Sequence, residues 1–448
     1  MTTPYLWKKV ELPRLLTLLP GFFLKYLTQM ERVLGMSEHD LIWDGQIPVS
    51  PSLGDQYFDR LNVYAIHVRE LLWTTRFGLS VDSVECEPSW PTVILSTLTQ
   101  SLLPNLMVLR IENDMHRTGQ LPVTIEWVKT LVLPANNLAG FYVELKLTDA
   151  ADHIKSAFWS FLDTILSNSQ RITRLRLNIA ASSSLVTQYR DCFNPDNVPR
   201  YVTSLVVRAH MLNRHCLGWI AQMERLTKLK VHVTDNWQPI SEIPQLEGIN
   251  LPLGSFLSLK CLKVDVWAGF QELFLQLWDT LVVSNITELR ILNQCRADPG
   301  TLSRIAIKSP KLRDLRLTIL ADEFRVGVLS PLSSLPLRSL TLSGSVLLDK
   351  RPLQNIALLW PDIERLSLKR TRMSLIELPT ALLRLPRLNH LYLAPPSEFS
   401  PEVVNSARSY HPPSAEHLHV WRSRYLTLVV NYRWANRVAR SEIEVLAR

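Results

Sequence analysis

The fold is decided by residues 286–393, where the phrase Ile286-x-x-Leu289-x-Ile291 recurs at a nearly constant step. The later copies are Leu312-x-x-Leu315-x-Leu317, Leu337-x-x-Leu340-x-Leu342, Ile363-x-x-Leu366-x-Leu368 and Leu388-x-x-Leu391-x-Leu393. The middle leucines at 289, 315, 340, 366 and 391 are separated by 26, 25, 26 and 25 residues. Because alternate apolar residues are typical of a strand with one buried face, each phrase predicts a short strand.

An apolar-x-x-Leu-x-apolar phrase with a period of about 20 to 29 residues is typical of leucine-rich repeats. One such repeat cannot bury its apolar face alone, whereas stacked neighbours can. Helical spacing separates the strands, as in Leu302-x-x-Ile305 and Leu353-x-x-Ile356, and prolines follow these helices. We therefore predict an α/β fold, a leucine-rich-repeat-like solenoid in which a curved array of short parallel strands is backed by helices.

Less regular copies extend the array toward both termini. They begin at Leu106, Val128, Ile172, Val202, Leu226 and Leu259, with an irregular copy at Val143 and a final copy at Ala415. Their uneven spacing predicts insertions in the loops between strand and helix. We assign residues 101–420 to the repeats, 31–100 to a helical N-terminal region or cap, and 421–448 to a basic, aromatic C-terminal cap. A capping helix is the simplest form of that last segment, and a basic aromatic ligand site is the alternative.

The composition excludes several classes of protein. Of the 448 residues 46% are hydrophobic and 20% are charged, which fits a folded chain. The net charge of +8 permits acidic partners without requiring nucleic acid, and we expect none. Five cysteines without a C-x-x-C motif predict a reducing compartment, the cytoplasm or nucleus, and no cysteine-rich zinc site. The most apolar N-terminal run, residues 15–27, is shorter than a membrane span, so we expect no membrane association.

No catalytic constellation is present in the sequence. There is no G-x-S-x-G, H-E-x-x-H or phosphate-loop motif. His210, His215 and Cys216 lie close together in sequence, and His417 and His419 alternate, but neither group has the spacing of metal ligands. We predict no catalytic residue, no metal, no cofactor and no enzyme activity.

The residues that alternate with the repeat leucines are predicted to face the concave surface of the solenoid. In chain order they are Arg110, Val132, Arg176, Val206, Lys230, Lys263, Arg290, Arg316, Thr341, Ser367, Tyr392 and His419. Lys230, Lys263, Arg290 and Arg316 would form a basic ladder about 15 Å long, since neighbouring strands lie about 4.8 Å apart.

Like charges this close repel, so the ladder requires solvent, nearby acids or a bound anion. Asp265, Glu288 and Asp314 are the nearby acids, and both neutralisation by them and anion binding remain open. Curved repeat arrays commonly bind partners on this face. The candidate partner-binding residues are Arg176, Lys230, Lys263, Arg290, Arg316, Tyr392 and His419.

Two phrases near the N-terminus resemble a known family. Leu6-Trp7-x-x-Val10 resembles the closing phrase of an F-box, and Tyr64-Ala65-x-x-Val68-Arg69-x-Leu71 resembles the helix that follows it in basidiomycete F-box/leucine-rich-repeat proteins. The order of these features and the repeats is similar to that family over nearly the whole chain. We therefore expect residues 1–30 to hold an F-box remnant and connector, with Leu6, Trp7 and Val10 on the adaptor side. The apolar spacing from Asp55 to Trp73 predicts an amphipathic helix.

The resemblance implies a substrate-recognition subunit of a cullin-RING ubiquitin ligase. Such a protein would hold a protein substrate on the concave face and reach the cullin through the ligase adaptor. An F-box has further helices before its Leu-Trp ending, whereas Met1 lies only five residues before Leu6. We therefore expect the adaptor-gripping helices to be missing, either because the sequence starts late or because this paralogue has lost them. The alternative is a leucine-rich-repeat scaffold with no ligase connection. From the residues alone, only a protein-binding solenoid follows.

Overall fold

The computed structural model divides the chain into two compact units. The first comprises Met1–Leu226 with Leu251–Leu253, and the second comprises Thr227–Asn250 with Gly254–Arg448. The residues whose structure is described are 8–11, 15, 63–74, 103–112, 137–146, 152–168, 171–180, 193, 198–232, 251, 255–265, 276, 278–279, 281, 283–295, 299–319, 323–343, 346–347, 349, 351–369, 383–394, 427–431 and 442–446.

Parallel strands of the first unit pair with one another in chain order. They are β1 (Lys9–Glu11), β2 (Glu70–Thr74), β3 (Val108–Glu112), β4 (Gly140–Lys146), β5 (Arg174–Ala180) and β6 (Ser204–Arg208). Helix α1 (Asp152–Asn168) connects β4 to β5, and a 3-10 helix (Ala209–Met211) and α2 (Arg214–Ala221) follow β6. Asn213 caps α2, because its side-chain oxygen accepts a hydrogen bond from the backbone N–H of Cys216 at 2.9 Å.

The second unit continues the same pattern. Its strands are β7 (Lys228–His232), β8 (Cys261–Asp265), β9 (Glu288–Cys295), β10 (Asp314–Ile319), β12 (Ser339–Ser343), β14 (Arg365–Lys369), β15 (His390–Ala394) and β16 (Thr427–Asn431), parallel and paired in this order, with β17 (Glu442–Leu446) antiparallel to β16. The short strands β11 (Glu323–Phe324) and β13 (Val346–Leu347) form a separate parallel pair. The helical connections are α3 (Pro299–Lys308), a 3-10 helix (Val326–Leu332) and α4 (Pro352–Leu359).

Alternate burial along the strands accounts for this architecture. In β10, Leu315 and Leu317 are 0% and 1% exposed, whereas Asp314, Arg316 and Thr318 are partly exposed. In twelve phrases the middle apolar residue is at most 1% exposed, at Leu71, Leu109, Phe141, Leu175 and Leu205 in the first unit and at Leu229, Leu262, Leu289, Leu315, Leu340, Leu366 and Leu391 in the second. The predicted leucine-rich-repeat solenoid is confirmed in both units.

Buried side chains tie the ends of two helical connections to the preceding repeat. Ser309 and Trp360 each stand immediately before a repeat proline. Ser309 Oγ donates a hydrogen bond to the carbonyl oxygen of Val283 at 3.0 Å, and Trp360 Nε1 donates one to that of Leu332 at 3.1 Å. Because both donors are buried, each bond satisfies a carbonyl that water does not reach.

Polar side-chain contacts join neighbouring repeats at the residue that immediately precedes the first apolar residue of each phrase. Neighbouring repeats meet there through Arg171 and Asn137 (2.9 Å), Lys311 and Asn285 (2.7 Å), Arg387 and Asp362 (3.3 Å), and the Arg225 guanidinium over the Tyr201 ring (4.8 Å). These contacts are exposed, so each stabilises its pair of repeats weakly, by less than about 1 kcal/mol. They join neighbouring repeats near the N-terminal ends of the strands.

The array begins earlier than the sequence predicts. β1 pairs with β2, with Val10 opposite Leu71, so residues 9–11 and 70–74 are repeat strands rather than parts of an N-terminal region. The predicted helix over residues 55–73 is wrong at 70–73, which belong to β2. Val68-x-x-Leu71-x-Trp73 is itself a repeat phrase with all three side chains at most 3% exposed. Burial against two neighbouring strands outweighed the helical spacing.

One predicted repeat in the first unit is displaced along the chain. β3 pairs directly with β4, with Ile111 opposite Val143, so the strand that follows β3 in the sheet is the one at 140–146. The phrase of this repeat is Leu138-x-x-Phe141-x-Val143, in which a phenylalanine takes the place of the expected leucine. Tyr142 therefore occupies the exposed position that was predicted for Val132, which lies outside the described residues.

The C-terminal predictions are corrected in the same way. β15 pairs with β16, with Leu391 opposite Leu428, rather than with a strand at 415–420. Residues 427–431 and 442–446 are strands where a capping helix was predicted. The edge of a parallel sheet carries unpaired backbone N–H and C=O groups, and β17 pairs with those of β16.

Candidate functional site

The sheet face opposite the buried side chains is the concave face predicted from the sequence. In the second unit the backbone register aligns Lys230, Lys263, Arg290, Arg316, Thr341, Ser367 and Tyr392 in one column, hereafter the central column. All seven side chains are partly exposed. The column changes from four cations to three hydroxyl-bearing residues along the chain.

Acidic residues beside the central column neutralise two of its cations. Arg290 Nε forms an ion pair and hydrogen bond with Glu288 Oε1. Arg316 Nε lies 3.5 Å from Asp314 Oδ1, and Arg365 lies 3.7 Å from the other oxygen of the same carboxylate. Each acid precedes its cation by two residues in one strand, so both point to the same face. Glu288 and Asp314, which the sequence analysis named, therefore reduce the repulsion between the basic rungs.

Glu288 is held in its ionised form. Partial burial raises the pKa of its carboxyl, but Arg290, a hydrogen bond with Cys261 and the charge of Lys263 outweigh burial and lower the pKa below its usual value. The same contact acts oppositely on Cys261, because burial and the neighbouring carboxylate together raise the pKa of the thiol to about 11. Cys261 is thus a protonated hydrogen-bond partner and not a nucleophile at neutral pH.

Hydroxyl-bearing residues occupy the other end of the central column, with Arg365 and His390 beside them on the same face. Thr318 Oγ1 and Ser343 Oγ lie 3.0 Å apart, on the same face as Thr341 and Ser367. Hydroxyls both donate and accept hydrogen bonds and carry no net charge. This end of the central column can therefore pair with neutral polar groups, whereas the basic end favours acidic ones.

The concave face of the first unit carries an arginine–tyrosine stack. Arg110 Nε lies 2.5 Å from Glu70 Oε1, and its guanidinium carbon lies 4.4 Å above the Tyr142 ring. The ring in turn covers Gly140, where a Cβ atom would lie 2.9 Å from Tyr142 Cε2. Glycine at 140 therefore lets the tyrosine lie flat beside Arg110, and the sequence analysis missed this contact because it assigned the rung to Val132.

A second cluster of the first unit contains Arg176. Its NH2 group lies 3.0 Å from Glu144 Oε2, and Arg208 Nε donates a hydrogen bond to Asn178 Oδ1 at 2.5 Å. The pKa of Arg208 is lowered, mainly by burial and further by the charge of Arg176, while Glu144 opposes the shift. Asn178 and Arg208 each lie two residues after the column residue of their strand, Arg176 and Val206, so leucine spacing alone did not select them.

The predicted adaptor-side residues and the His215–Cys216 pair do not form sites in the described part of the chain. Val10, predicted on the adaptor side, is 2% exposed in β1 and packs in the repeat core, while Leu6, Trp7 and His419 lie outside the described residues. His215 is exposed and Cys216 is fully buried, so the two do not converge.

Neither metal-binding nor membrane-spanning features occur in the described part of the chain. Its His, Cys, Asp and Glu residues include no group of three or more that could hold a metal ion. Its helices include none with the length and apolarity needed to cross a membrane.

No family model and no curated protein sequence matches this chain. Among solved structures, it resembles the TLR13 chain of a TLR13–ssRNA13 complex with 15% identity and a TM-score of 0.36, over 75% of this chain and 43% of that one. It also resembles the leucine-rich repeat-containing protein LegL7 from Legionella pneumophila (15%, TM-score 0.32, 66% and 80%) and a chain of the mouse RP105/MD-1 complex (12%, TM-score 0.26, 81% and 79%). The chain thus spans less than half of the TLR13 chain. Identities this low concern the fold alone.

Proposed function

We propose that this protein is a binding protein that holds a protein partner on the concave face of its second unit. The observation that carries the proposal is the central column, seven partly exposed polar side chains aligned by an unbroken strand register. At about 4.8 Å per strand the column is about 29 Å long, which matches an extended segment or the edge of a folded domain. The partner-contacting residues are Lys230, Lys263, Arg290, Arg316 and Tyr392, with Thr341 and Ser367 between them.

The charge of this face determines which chemical groups of the partner bind to it. Acidic groups of the partner lie against Lys263, Arg290 and Arg316, where they compete with Glu288 and Asp314. Because two of the arginines already have internal partners, these contacts contribute more to specificity and to the association rate than to affinity. Neutral polar groups of the partner pair with the hydroxyl end.

The finer assignment is a substrate-recognition subunit of a cullin-RING ubiquitin ligase, working in the cytoplasm or the nucleus. Its support is the resemblance to basidiomycete F-box/leucine-rich-repeat proteins, carried by the Leu6-Trp7-x-x-Val10 phrase, the phrase from Tyr64 to Leu71 and the repeats that follow. In this role the concave face holds the ubiquitination substrate, and the adaptor and cullin bind elsewhere on the chain.

The second candidate is a repeat scaffold with no ligase connection. One observation favours it: Val10 is buried in β1 and opposite Leu71, so its side chain is part of the repeat core and does not face an adaptor. Both candidates share the partner-binding concave face and differ only in what else the chain recruits.

Affinity purification from the native host tests both the partner-binding role of the central column and the connection to a ubiquitin ligase. The bait is the full chain, compared with a Lys263→Gln, Arg290→Gln variant and with a control, Arg214→Gln, Arg384→Gln, that removes two exposed charges outside the strands. We expect the first variant to lose the principal co-purifying protein and the control to retain it, with circular dichroism showing both folded. Equal recovery by all three baits removes the central column from partner binding.

The same purification separates the two candidates. Recovery of the ligase adaptor and cullin with wild type and with both variants supports the ligase assignment, because the substitutions leave the adaptor side unchanged. Recovery of a partner without adaptor or cullin supports the scaffold.

A further inference from the structure

An exposed leucine stands at the N-terminal ends of the strands in the second unit. Leu257, in the segment that leads into β8, is 59% exposed, whereas Phe256 and Leu259 on either side are 4% and 0% exposed. Phe256 has a φ of 60°, a left-handed backbone conformation that bulky side chains rarely adopt. It is the one non-glycine residue with a positive φ in the described part of the chain. This turn places the phenylalanine ring in the core and the leucine side chain in solvent.

Hydrogen bonds that span three repeats fix the turn at Leu257. The carbonyl oxygen of Phe256 accepts a hydrogen bond from the backbone N–H of Leu259 at 2.9 Å. The carbonyl oxygen of Leu257 accepts one from Asn285 Nδ2 at 3.1 Å, and Asn285 Oδ1 accepts one from Lys311 Nζ at 2.7 Å. A residue in an unfavourable backbone conformation persists only where its surroundings hold it, and such residues cluster at binding sites. The exposed leucine is therefore held in one place beside the lysine.

The segments that lead into four neighbouring strands around Leu257 carry only positive charge. Arg338, before β12, pairs with Glu364 of the following repeat at 3.2 Å. Lys260, Lys311 and Arg313, hereafter the basic rim, are exposed and form no ion pair with a carboxylate of any described residue. The segments are 255–260 before β8, 283–287 before β9, 309–313 before β10 and 333–338 before β12, and none of them contains Asp or Glu.

The carboxylates nearest in sequence to the basic rim have other partners. Glu288 and Asp314, the first residues of β9 and β10, form their ion pairs with arginines of the central column. Lys260 and Arg313 hold equivalent positions, each immediately before the first residue of its strand. Because β9 lies between these two strands, their backbone positions are about 10 Å apart, the length of about three extended residues. This end of the strands therefore presents one apolar contact and spaced positive charges.

We propose that Leu257 and the basic rim form a recognition site for an acidic segment of a protein partner that carries an apolar side chain between its carboxylates. The apolar side chain packs on Leu257, and the carboxylates pair with Lys260 and Arg313. The site adjoins the central column on the same strands, β8 to β10, so a partner that lies along the column reaches it. Three cations are fewer than the about four to eight of a typical lipid-binding cluster, which favours a protein over an anionic membrane. The site uses no central-column residue, but it rests on the proposed function in that its ligand belongs to a protein.

The test measures the binding of three amide-capped peptides with an uncharged fluorophore to the full chain, by fluorescence anisotropy at low ionic strength, where screening is weak. The first peptide alternates pairs of glutamates with single leucines, the second contains only glutamates, and the third has glutamines in place of the glutamates of the first. We expect the first to bind about fivefold more tightly than the second, because a leucine is partly buried, and the third not to bind. Equal binding by the first two peptides, or binding by the third as tight as by the first, overturns the proposal.

Two leucine variants locate the apolar contact. Leu257→Ser should lower the binding of the glutamate–leucine peptide to that of oligoglutamate and leave the binding of oligoglutamate unchanged. Leu383→Ser, which replaces another leucine of the second unit that is 69% exposed, should change neither. Because both side chains are exposed, neither substitution removes core packing. Equal losses in the two variants, or no loss in Leu257→Ser, refute the site.

Two charge variants locate the carboxylates. The Lys260→Gln, Arg313→Gln variant should weaken the binding of both acidic peptides about fivefold. The Arg214→Gln, Arg384→Gln control, which removes two exposed charges outside the strands, should change it less than about twofold. Equal losses in the two variants show a general effect of net charge and overturn the assignment to the basic rim.

A central-column variant and lipid vesicles complete the experiment. The Lys263→Gln, Arg290→Gln variant should retain the fivefold difference between the two acidic peptides. Loss of that difference in this variant, with its retention in Leu257→Ser, places the peptide on the central column and overturns the site at Leu257, while the proposed function survives. Vesicles of phosphatidylcholine and phosphatidylserine should sediment wild type and Leu257→Ser equally. Stronger sedimentation of wild type overturns the assignment to a protein segment in favour of an anionic membrane.

Discussion

Replacing Leu315 by alanine should destabilise the second unit far more than replacing its neighbour Arg316. Leu315 is 0% exposed at the centre of β10, between β9 and β12, so the substitution leaves a cavity that the flanking strands cannot close without losing register. Fully buried leucine-to-alanine substitutions cost about 2–5 kcal/mol, from lost burial and from the cavity. Arg316 points to the opposite face, and its pair with Asp314 at 3.5 Å is worth about 1 kcal/mol or less.

Urea unfolding of both variants, followed by circular dichroism, measures the difference. With an m-value of about 3 kcal/mol/M, we expect Leu315→Ala to lower the midpoint by about 1 M and Arg316→Ala by about 0.3 M or less. Hydrogen exchange followed by mass spectrometry supplies a local measurement that does not require two-state unfolding. Because repeats interact mainly with nearest neighbours, protection should fall most in β9, β10 and β12 for Leu315→Ala.

Equal destabilisation by the two substitutions would refute this reasoning. If Arg316→Ala costs as much as Leu315→Ala, then the two residues do not lie on opposite faces of a strand and the alternation on which the fold rests is wrong. Uniform loss of protection across the whole second unit would instead contradict the nearest-neighbour picture of its stability.

Two further predictions concern charge and the end of the array. Folding lowers the pKa of Glu288, so its stabilising effect is fully present above about pH 5 and is lost as pH falls through the folded-state pKa. The difference in unfolding free energy between wild type and Glu288→Gln, measured by urea titration, should therefore shrink below about pH 4. A difference that stays constant with pH would contradict this. Removal of residues 421–448 takes away β16 and β17 and leaves the edge of β15 unpaired, so the truncated chain should aggregate in light-scattering measurements. A soluble monomer with the parent's melting temperature would show that these strands do not cap the array.

The regular block could be predicted because its signal is local. From Ile286 to Leu393 each repeat has a leucine at its centre, and the nearly constant step brings equivalent positions onto neighbouring rungs. The register of Arg290, Arg316, Thr341, Ser367 and Tyr392 follows from that step, and the acids two residues before Arg290 and Arg316 necessarily share their face. Both the central column and its neutralising carboxylates could therefore be predicted from the sequence.

The irregular repeats could not be predicted in the same way. The prediction failed at Phe141, where an aromatic replaces leucine, and at Leu71, whose phrase also has helical spacing. It failed again after Leu391, where the next strand begins at Thr427 and not near 415. In each case an unusually long stretch of sequence separates the strands, so distance along the chain no longer indicates which segments pair.

The sequence by itself determined that this protein is a leucine-rich-repeat solenoid with a basic run on its exposed strand face, because alternate burial at a constant period is a short-range property of the chain. Only the tertiary structure decided that Tyr142 lies beside Arg110, that Asn178 joins Arg176 and Arg208 around Glu144, and that strands close the C-terminal edge. The contacts around Arg110 and Arg176 join residues about thirty positions apart, across stretches of sequence of unequal length. The pairing of whole strands, through backbone hydrogen bonds and the burial of one face, determines which of them meet.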